Sequence, residues 1–285
     1  GIGDFHETCV RPVQDLTKQG NIQHFGLGDK GFGILHVIGP EQGITLPGTT
    51  LVCGDSHTCT HGGMGALAWG IGASELVHAL ATQTVMQRKP KRMRINFDGQ
   101  LPDWLSAKDL ILHVIGREGA ASGDGYAVEY AGPPIRALGV EARLTLCNLS
   151  IEMGAKVGMI APDDTIYQYL SGRPYAPVGG DWDCALSAWR TLASDDEAAF
   201  DAEVDVPIDD LAPHISWGTS PEHTIAVTDR IPDPADEANL DRRQALSAAQ
   251  EYIGLNPGAA IEGTPVDWVF IGSCTNSRLS DFAEA

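Results

Sequence analysis

The segment CGDSHTCTHGG, residues 53–63, concentrates side chains that can carry a proton. Asp55 and His57 are two positions apart with Ser56 between them, and His36 lies upstream beside an apolar stretch. A histidine that is held by a carboxylate is an oriented acid or base whose pKa can lie near neutrality. The same residues also fit a structural role, in which Asp55 and Ser56 cap a helix and bind its backbone. The motif alone leaves both interpretations open.

Binding of a metal or of a dinucleotide is a further interpretation of this segment. His57, Cys59 and His61 would share one face of an extended chain, and zinc accepts such ligands. However, a fourth ligand at a suitable spacing is missing, and glycines follow His61. GMGALA, residues 63–68, fits a loose dinucleotide pattern, but no acidic residue follows at about 20 positions. We therefore expect neither ligand, and the glycines predict close helix packing.

Two other groups of residues are candidates for the same site. Asn148 and Glu152 are four apart on a predicted helix, so they share one face, which points either into a cleft or into solvent. Cys274 lies in GSCTNS, residues 272–277, directly after a predicted strand. Its thiolate would gain from nearby backbone N–H groups, and it could bind a metal or act as a nucleophile. Its polar neighbours argue against an inert, buried cysteine.

The elements that must position these residues alternate between strand and helix. Apolar and β-branched runs predict strands at residues 49–53, 93–97 and 266–271. Apolar spacing predicts helices at residues 7–20, 64–87, 106–116, 141–160, 183–203 and 242–255, the third with Ser106 as its N-cap. Residues 161–180 are predicted to be loop-rich, and the proline-containing residues 207–240 a linker. This order indicates an α/β fold with mostly parallel sheets, whose sites lie past the carboxyl ends of strands.

The charge and the residue composition of the chain argue against some classes of binding partner. The net charge of −19 repels nucleic acid and anionic lipid, so an anionic substrate must be captured by a few local cations or a metal. No apolar run approaches the roughly 20 residues of a membrane span, and the opening GIGDFHETCV has no signal-peptide pattern. The six cysteines are scattered without a CxxC, which indicates a reducing compartment. We expect a soluble, cytoplasmic protein without nucleic-acid or membrane partners.

Four stretches together resemble the aconitase superfamily, and within it the large subunits of bacterial 3-isopropylmalate dehydratases. They are residues 53–75, 144–165, 214–221 and 270–278 (CGDSHTCTHGGMGALAWGIGASE, LTLCNLSIEMGAKVGMIAPDDT, HISWGTSP and FIGSCTNSR), in collinear order. The resemblance runs from about Gly33 to the end. It implies aconitase-like three-layer α/β/α domains with mostly parallel sheets. The expected domains are residues 1–90, without the beginning of the first; residues 91–225; and residues 226–285, the start of a third.

The resemblance also implies a [4Fe–4S] cluster that is held by three cysteines and binds the substrate through an open iron. Cys274 matches the first cluster ligand, and the other two are expected beyond this chain, which by itself should therefore hold no cluster. The implied catalytic residues are His36, paired with Asp55, and His57, paired with Glu152. The implied substrate-binding residues are Ser56, Asn148, Asn276 and Arg278.

The function implied by the resemblance is that of a hydro-lyase. It would isomerise 2- and 3-isopropylmalate in leucine biosynthesis by dehydration and rehydration of a small hydroxy di-acid. A separate small subunit would complete the site in a heterodimer and supply the base for the carbon proton. Related hydro-lyases act on citraconate and 2-methylmalate, dimethylmaleate or homoaconitate, and the sequence does not choose among them. Two other classes stay open: a scaffold for the partner subunit, and RNA binding, against which the net charge argues.

Overall fold

The computed structural model describes residue 4, residues 6–275 and residues 277–284, apart from the side chains of residues 9 and 284. Its strands are β1 (Thr50–Cys53), β2 (Leu67–Gly70), β3 (Lys91–Asp98), β4 (Tyr126–Ala131), β5 (Val157–Met159), β6 (Ala202–Pro207), β7 (His214–Ser216) and β8 (Thr224–Ala226). Its α-helices are α1 (Arg11–Gln19), α2 (Leu35–Gln42), α3 (Ala73–Thr82), α4 (Ala107–Glu118), α5 (Pro133–Ala137), α6 (Val140–Asn148), α7 (Asp164–Leu170), α8 (Gly180–Trp189), α9 (Leu240–Ile253) and α10 (Leu279–Glu284).

The first sheet pairs β1 and β2 in parallel, with Cys53 opposite Gly70. Between the two strands lies a 3₁₀ helix over Ser56–Met64, called the site helix below. It begins at the Asp55 cap and ends at Gly65, whose φ of 78° is a left-handed conformation that glycine adopts without strain. The predicted strand at residues 49–53 is confirmed, although it is half-buried rather than buried.

The predicted long helix over residues 64–87 is wrong. Only α3 is helical in this stretch, and Leu67–Gly70 forms β2 instead. The alanine- and leucine-rich composition favours a helix locally, but the backbone hydrogen bonds to β1 override that preference.

The second sheet is fully parallel and has the order β5-β4-β3-β6. Its largest core packs the sheet against α4, with Phe97, Leu110 and Tyr130 all nearly inaccessible to solvent. Ser106 caps α4, as predicted, and the structure shows in addition a reciprocal capping box with Asp109. The α/β class with mostly parallel sheets is thus confirmed.

The helix predicted over residues 141–160 is interrupted. After α6 the chain forms a short 3₁₀ helix over Leu149–Met153, turns at Gly154 with a φ of 84°, and enters β5. The left-handed glycine ends the helical run, and the apolar residues that follow pair with β4.

Three further predictions need correction. Residues 161–180 contain α7, and the helix predicted over residues 183–203 ends at Trp189 before β6 begins at Ala202. The predicted linker at residues 207–240 holds the antiparallel β7–β8 hairpin, which packs on α4. Its turn places Trp217 in a small core, so tertiary packing orders a segment that lacks periodicity.

Residues 266–271 form no strand. Trp268, Val269 and Phe270 are exposed at 93%, 77% and 88%. A strand needs a hydrogen-bonding neighbour, and none of the described strands lies beside this segment. No described helix is both long and apolar enough to cross a lipid bilayer. The expected domain boundaries and the three-layer arrangement stay predictions.

Candidate functional site

Asp55 lies directly past the carboxyl end of β1 and serves two purposes. Its Oδ1 accepts the backbone N–H of His57 at 2.7 Å, which caps the site helix. The same oxygen lies 3.0 Å from Nε2 of His36, which belongs to α2. Burial raises the pKa of the Asp55 carboxyl, but the hydrogen bonds from His36 and the His57 amide outweigh it, so that the pKa is lowered overall. The structural interpretation is therefore confirmed for Asp55, and the carboxylate–histidine contact that the acid–base interpretation requires is also present.

His36 is completely buried and contacts a second buried histidine, His61. Nδ1 of His36 lies 3.3 Å from Nε2 of His61, and Nδ1 of His61 lies 2.8 Å from Oγ1 of Thr45. Burial lowers the pKa of both rings, for His61 to about 3, and the charge of Arg278 adds to this in each case. At neutral pH both imidazoles are therefore uncharged.

His57 is held differently, by a carboxylate from a distant part of the chain. Its Nε2 lies 3.1 Å from Oε1 of Glu152, in the short 3₁₀ helix after α6. Its Nδ1 lies 3.4 Å from Oγ of the exposed Ser56. The His57 and Glu152 side chains are 24% and 36% exposed, so this pair is open to a ligand in a way that His36 is not.

Asn148, at the end of α6, connects the site helix with the cysteine segment. Its Nδ2 donates to Oγ1 of Thr60 at 2.7 Å and lies 3.9 Å from Sγ of Cys274. Its Oδ1 accepts the hydroxyl of Thr275 at 2.7 Å. Asn148 and Glu152 therefore both face the site, although the interrupted helix places them there by a route different from the predicted one.

The segment around Cys274 is anchored by buried groups. Arg278 is 5% exposed, and its Nη1 donates to the carbonyl of Thr275 at 3.1 Å. Its Nη2 is buried without a hydrogen-bond partner among the described residues. Asn276, the remaining predicted site residue, lies outside the described residues.

The sequence did not predict that Thr45 and Thr60 belong to this site, or that His36 and His61 are in contact. Thr45 lies outside the motif, in the turn after α2, and its hydroxyl reaches His61 only through the fold. No local pattern signals such a contact. For His61 itself the sequence indicates only the zinc interpretation.

The residues of the site fit a metal only in part. The zinc interpretation assumed an extended chain, but the segment is a 3₁₀ helix, and the buried Cys59 thiol, whose pKa burial raises to about 12, donates to the carbonyl of Asn148. The described residues contain no group of three or more side chains able to hold an ion. Cys274, half-buried and beside Asn148, fits one thiolate ligand of an iron–sulfur cluster.

Comparison with known proteins identifies the family to which this chain is similar. The model of the aconitase family (aconitate hydratase) matches residues 5–285. The chain is 60% identical over 279 residues to 3-isopropylmalate dehydratase large subunit 1 of Bradyrhizobium diazoefficiens. The match covers 98% of this chain and 58% of that relative, so the chain spans less than two thirds of the length of the curated relative that it matches.

Proposed function

The chain belongs to the aconitase family, and from this we propose that it carries the proton-transferring half of a hydro-lyase site. The reaction is the reversible removal of water from a small hydroxy di-acid. We propose 2- and 3-isopropylmalate as the substrates, on the strength of the 60% identity to a relative that bears the name 3-isopropylmalate dehydratase. The aconitase-like α/β fold provides the strand end at which the site lies.

One observation carries the proposal: the hydrogen bond between His57 and Glu152 at the open side of the site. Glu152 holds Nε2, which leaves Nδ1 to take up and release a proton. Hydroxide is a poor leaving group, so dehydration needs a proton at the departing oxygen. His57 donates it from Nδ1 and recovers it from water when the alkene is hydrated at the other carbon.

The other residues of the site orient the substrate and the cysteine. The family implies a [4Fe–4S] cluster, with Cys274 as one of its ligands; when bound, it supplies a Lewis-acidic iron that polarises the C–O bond. Asn148 donates a hydrogen bond toward the Cys274 sulfur and fixes it relative to the site helix. Arg278 has a buried N–H group that is costly to leave unpaired, and a substrate carboxylate is its strongest partner.

The same proposal includes a partner and a location. The relative is named a large subunit, which supports a small-subunit partner that supplies the base for the carbon proton. The cytoplasmic location is supported by the cysteines that the structure describes, which are all free thiols.

The test is a spectrophotometric assay of the full-length protein with its small subunit, loaded with iron and sulfide without oxygen. The panel comprises 2- and 3-isopropylmalate, 2-methylmalate with citraconate, dimethylmaleate and homoaconitate. We expect the highest kcat/KM on the isopropylmalates. A higher value on another acid would overturn the substrate, and no turnover of any acid at full iron content would overturn the hydro-lyase.

A further inference from the structure

A buried chain of hydrogen bonds runs from Thr45 through His61 and His36 to Asp55, with successive distances of 2.8, 3.3 and 3.0 Å. We propose that His61, supported by Thr45, is a positioning residue that fixes the ring and the tautomer of His36 and thereby the carboxylate of Asp55. The inference rests on the proposed function, because Asp55 caps the helix that carries His57.

The hydrogen bonds of this chain have one consistent direction. Asp55 is an ionised acceptor, since its pKa is lowered overall, so Nε2 of His36 must carry the proton that faces it. Neutral His36 then has a bare Nδ1, which accepts from the Nε2–H of His61. The bare Nδ1 of His61 in turn accepts the hydroxyl proton of Thr45.

The opposite direction fails on geometry. It would place a bare Nε2 of His36 3.0 Å from a carboxylate oxygen of Asp55, so that two acceptors would face each other. A doubly protonated His36 would avoid this clash. Burial disfavours that form, with smaller contributions from the charges of His57 and Arg278, and these outweigh the hydrogen bond and charge of Asp55, so that the pKa of His36 is lowered overall.

The packing around this chain of hydrogen bonds restricts the movement of its side chains. A Cβ atom on Gly39 of α2 would lie 2.7 Å from Oγ1 of Thr45 and 3.0 Å from Cε1 of His61. Both side chains are fully buried, as is His36. The glycine therefore lets the backbone of α2 approach both side chains closely.

Loss of His61 would affect the proposed proton donor, His57, through Asp55. Its Oδ1 accepts from both the His36 ring and the His57 amide, so a displaced His36 moves the cap of the site helix. Because Thr45 and His61 are fully buried, loss of His61 should lower kcat and leave KM nearly unchanged.

The first experiment reads the tautomer and does not depend on activity. NMR of full-length protein with ¹⁵N-labelled histidine, assigned with His36→Gln, should show His36 with a bare Nδ1 and a protonated Nε2 at neutral pH. In His61→Phe the pKa of His36 should rise, because the neutral form of His36 loses its hydrogen-bond donor. In His61→Gln the pKa of His36 should not rise, because the glutamine amide can both donate and accept. A wild-type His36 protonated at Nδ1, or an unchanged pKa of His36 in His61→Phe, would overturn the proposal.

Kinetics on the cluster-loaded complex provide the second test. We expect His61→Phe to lower kcat about 10- to 100-fold with little change in KM, as for other supporting partners, and His61→Gln to restore most of it. If His61→Phe does not fold, Thr45→Val against Thr45→Ser repeats the comparison at the far end of the chain. Equal kcat for the phenylalanine and glutamine variants would count against positioning. An inactive wild type with the expected tautomer would refute the proposed function and leave the assignment of the His36 tautomer to His61 standing.

Discussion

Two carboxylates hold two histidines at this site, and exposure separates their tasks. The His36 side chain is 1% exposed, whereas the His57 side chain is 24% exposed, so a bound ligand can reach His57 but not His36. Under the proposed function, Glu152 and His57 form the reactive face of the site, and Asp55 and His36 support it. Substitutions of Glu152 and His57 test this division of roles.

Glu152→Gln should lower turnover less than removal of the histidine does. The amide keeps a hydrogen bond to Nε2 of His57 but loses the charge that stabilises the imidazolium. Steady-state kinetics of Glu152→Gln and His57→Ala on the loaded complex compare the two losses in kcat. Wild-type kcat in Glu152→Gln would contradict the assigned pair.

Arg278→Gln should raise KM for the di-acid more than it lowers kcat. A lost charge-assisted hydrogen bond costs about 1.5–3 kcal/mol, which corresponds to roughly 10- to 150-fold in KM. The measurement is steady-state kinetics on the loaded complex, with Arg230→Gln on the exposed surface as the control. Equal effects of the two variants would remove Arg278 from the substrate site.

At the scale of elements, the site depends on glycines that let the site helix approach other backbones. A Cβ atom on Gly62 would overlap the carbonyl of Gly158 in β5, and one on Gly63 would lie 2.8 Å from the backbone of Arg143 in α6. The backbone N–H of Ile160 donates to the Gly62 carbonyl at 3.1 Å. The close packing predicted for the glycines of GMGALA is thus confirmed at Gly63.

Gly62→Ala should therefore destabilise the protein by about 1–3 kcal/mol or more, as expected for overpacking against a fixed backbone. The matched control is Gly180→Ala at the start of α8, where nothing lies within 4 Å of the added Cβ. Urea unfolding followed by circular dichroism compares the two free energies. Equal stability of both variants would show that the contact with β5 is not tight.

The sequence predicted elements well where the signal was local and poorly where pairing was distant. The Ser106 cap and the helix at residues 242–255 follow from nearby residues, and both are present. Apolar content alone could not tell that Leu67–Gly70 would pair with β1. For residues 266–271 it could not supply the neighbouring strand that pairing requires.

The same limit explains which parts of the site were predictable. The residues in the DSH motif could be identified from their types and spacing, and Cys274 from its polar neighbours. The hydrogen bond from Thr45 to His61 joins side chains whose types carry no signal on their own. Thr45 was not predicted because it is 16 residues from His61 along the sequence, and only the fold brings the two side chains together.

At the scale of the whole molecule, the number of cysteine thiolates determines whether this chain by itself can hold an iron–sulfur cluster. Cys274 is the only cysteine that matches a family ligand, and the sequence contains no CxxC. One thiolate cannot hold a cubane that needs several. Because a net charge of −19 repels an anionic acid, the proposed function requires local cations, for which Arg278 is the candidate.

Anaerobic reconstitution of this 285-residue chain should therefore yield no stable [4Fe–4S] cluster. Iron and sulfide per chain, together with the thiolate-to-iron absorbance band, measure the outcome, and Cys274→Ser serves as the control for adventitious iron. Full-length protein treated in parallel should acquire the cluster. A stoichiometric, Cys274-dependent cluster in the 285-residue chain would contradict the assigned ligand set.

The most direct test of the account is the turnover of His57→Ala in the full-length, cluster-loaded complex, measured beside His78→Ala. His78 is an exposed histidine of α3, outside the site. General acid catalysis contributes about 10²- to 10⁴-fold, so His57→Ala should lose that factor in kcat at unchanged iron content, while His78→Ala keeps wild-type turnover. Near wild-type turnover of His57→Ala with its cluster intact would contradict the account.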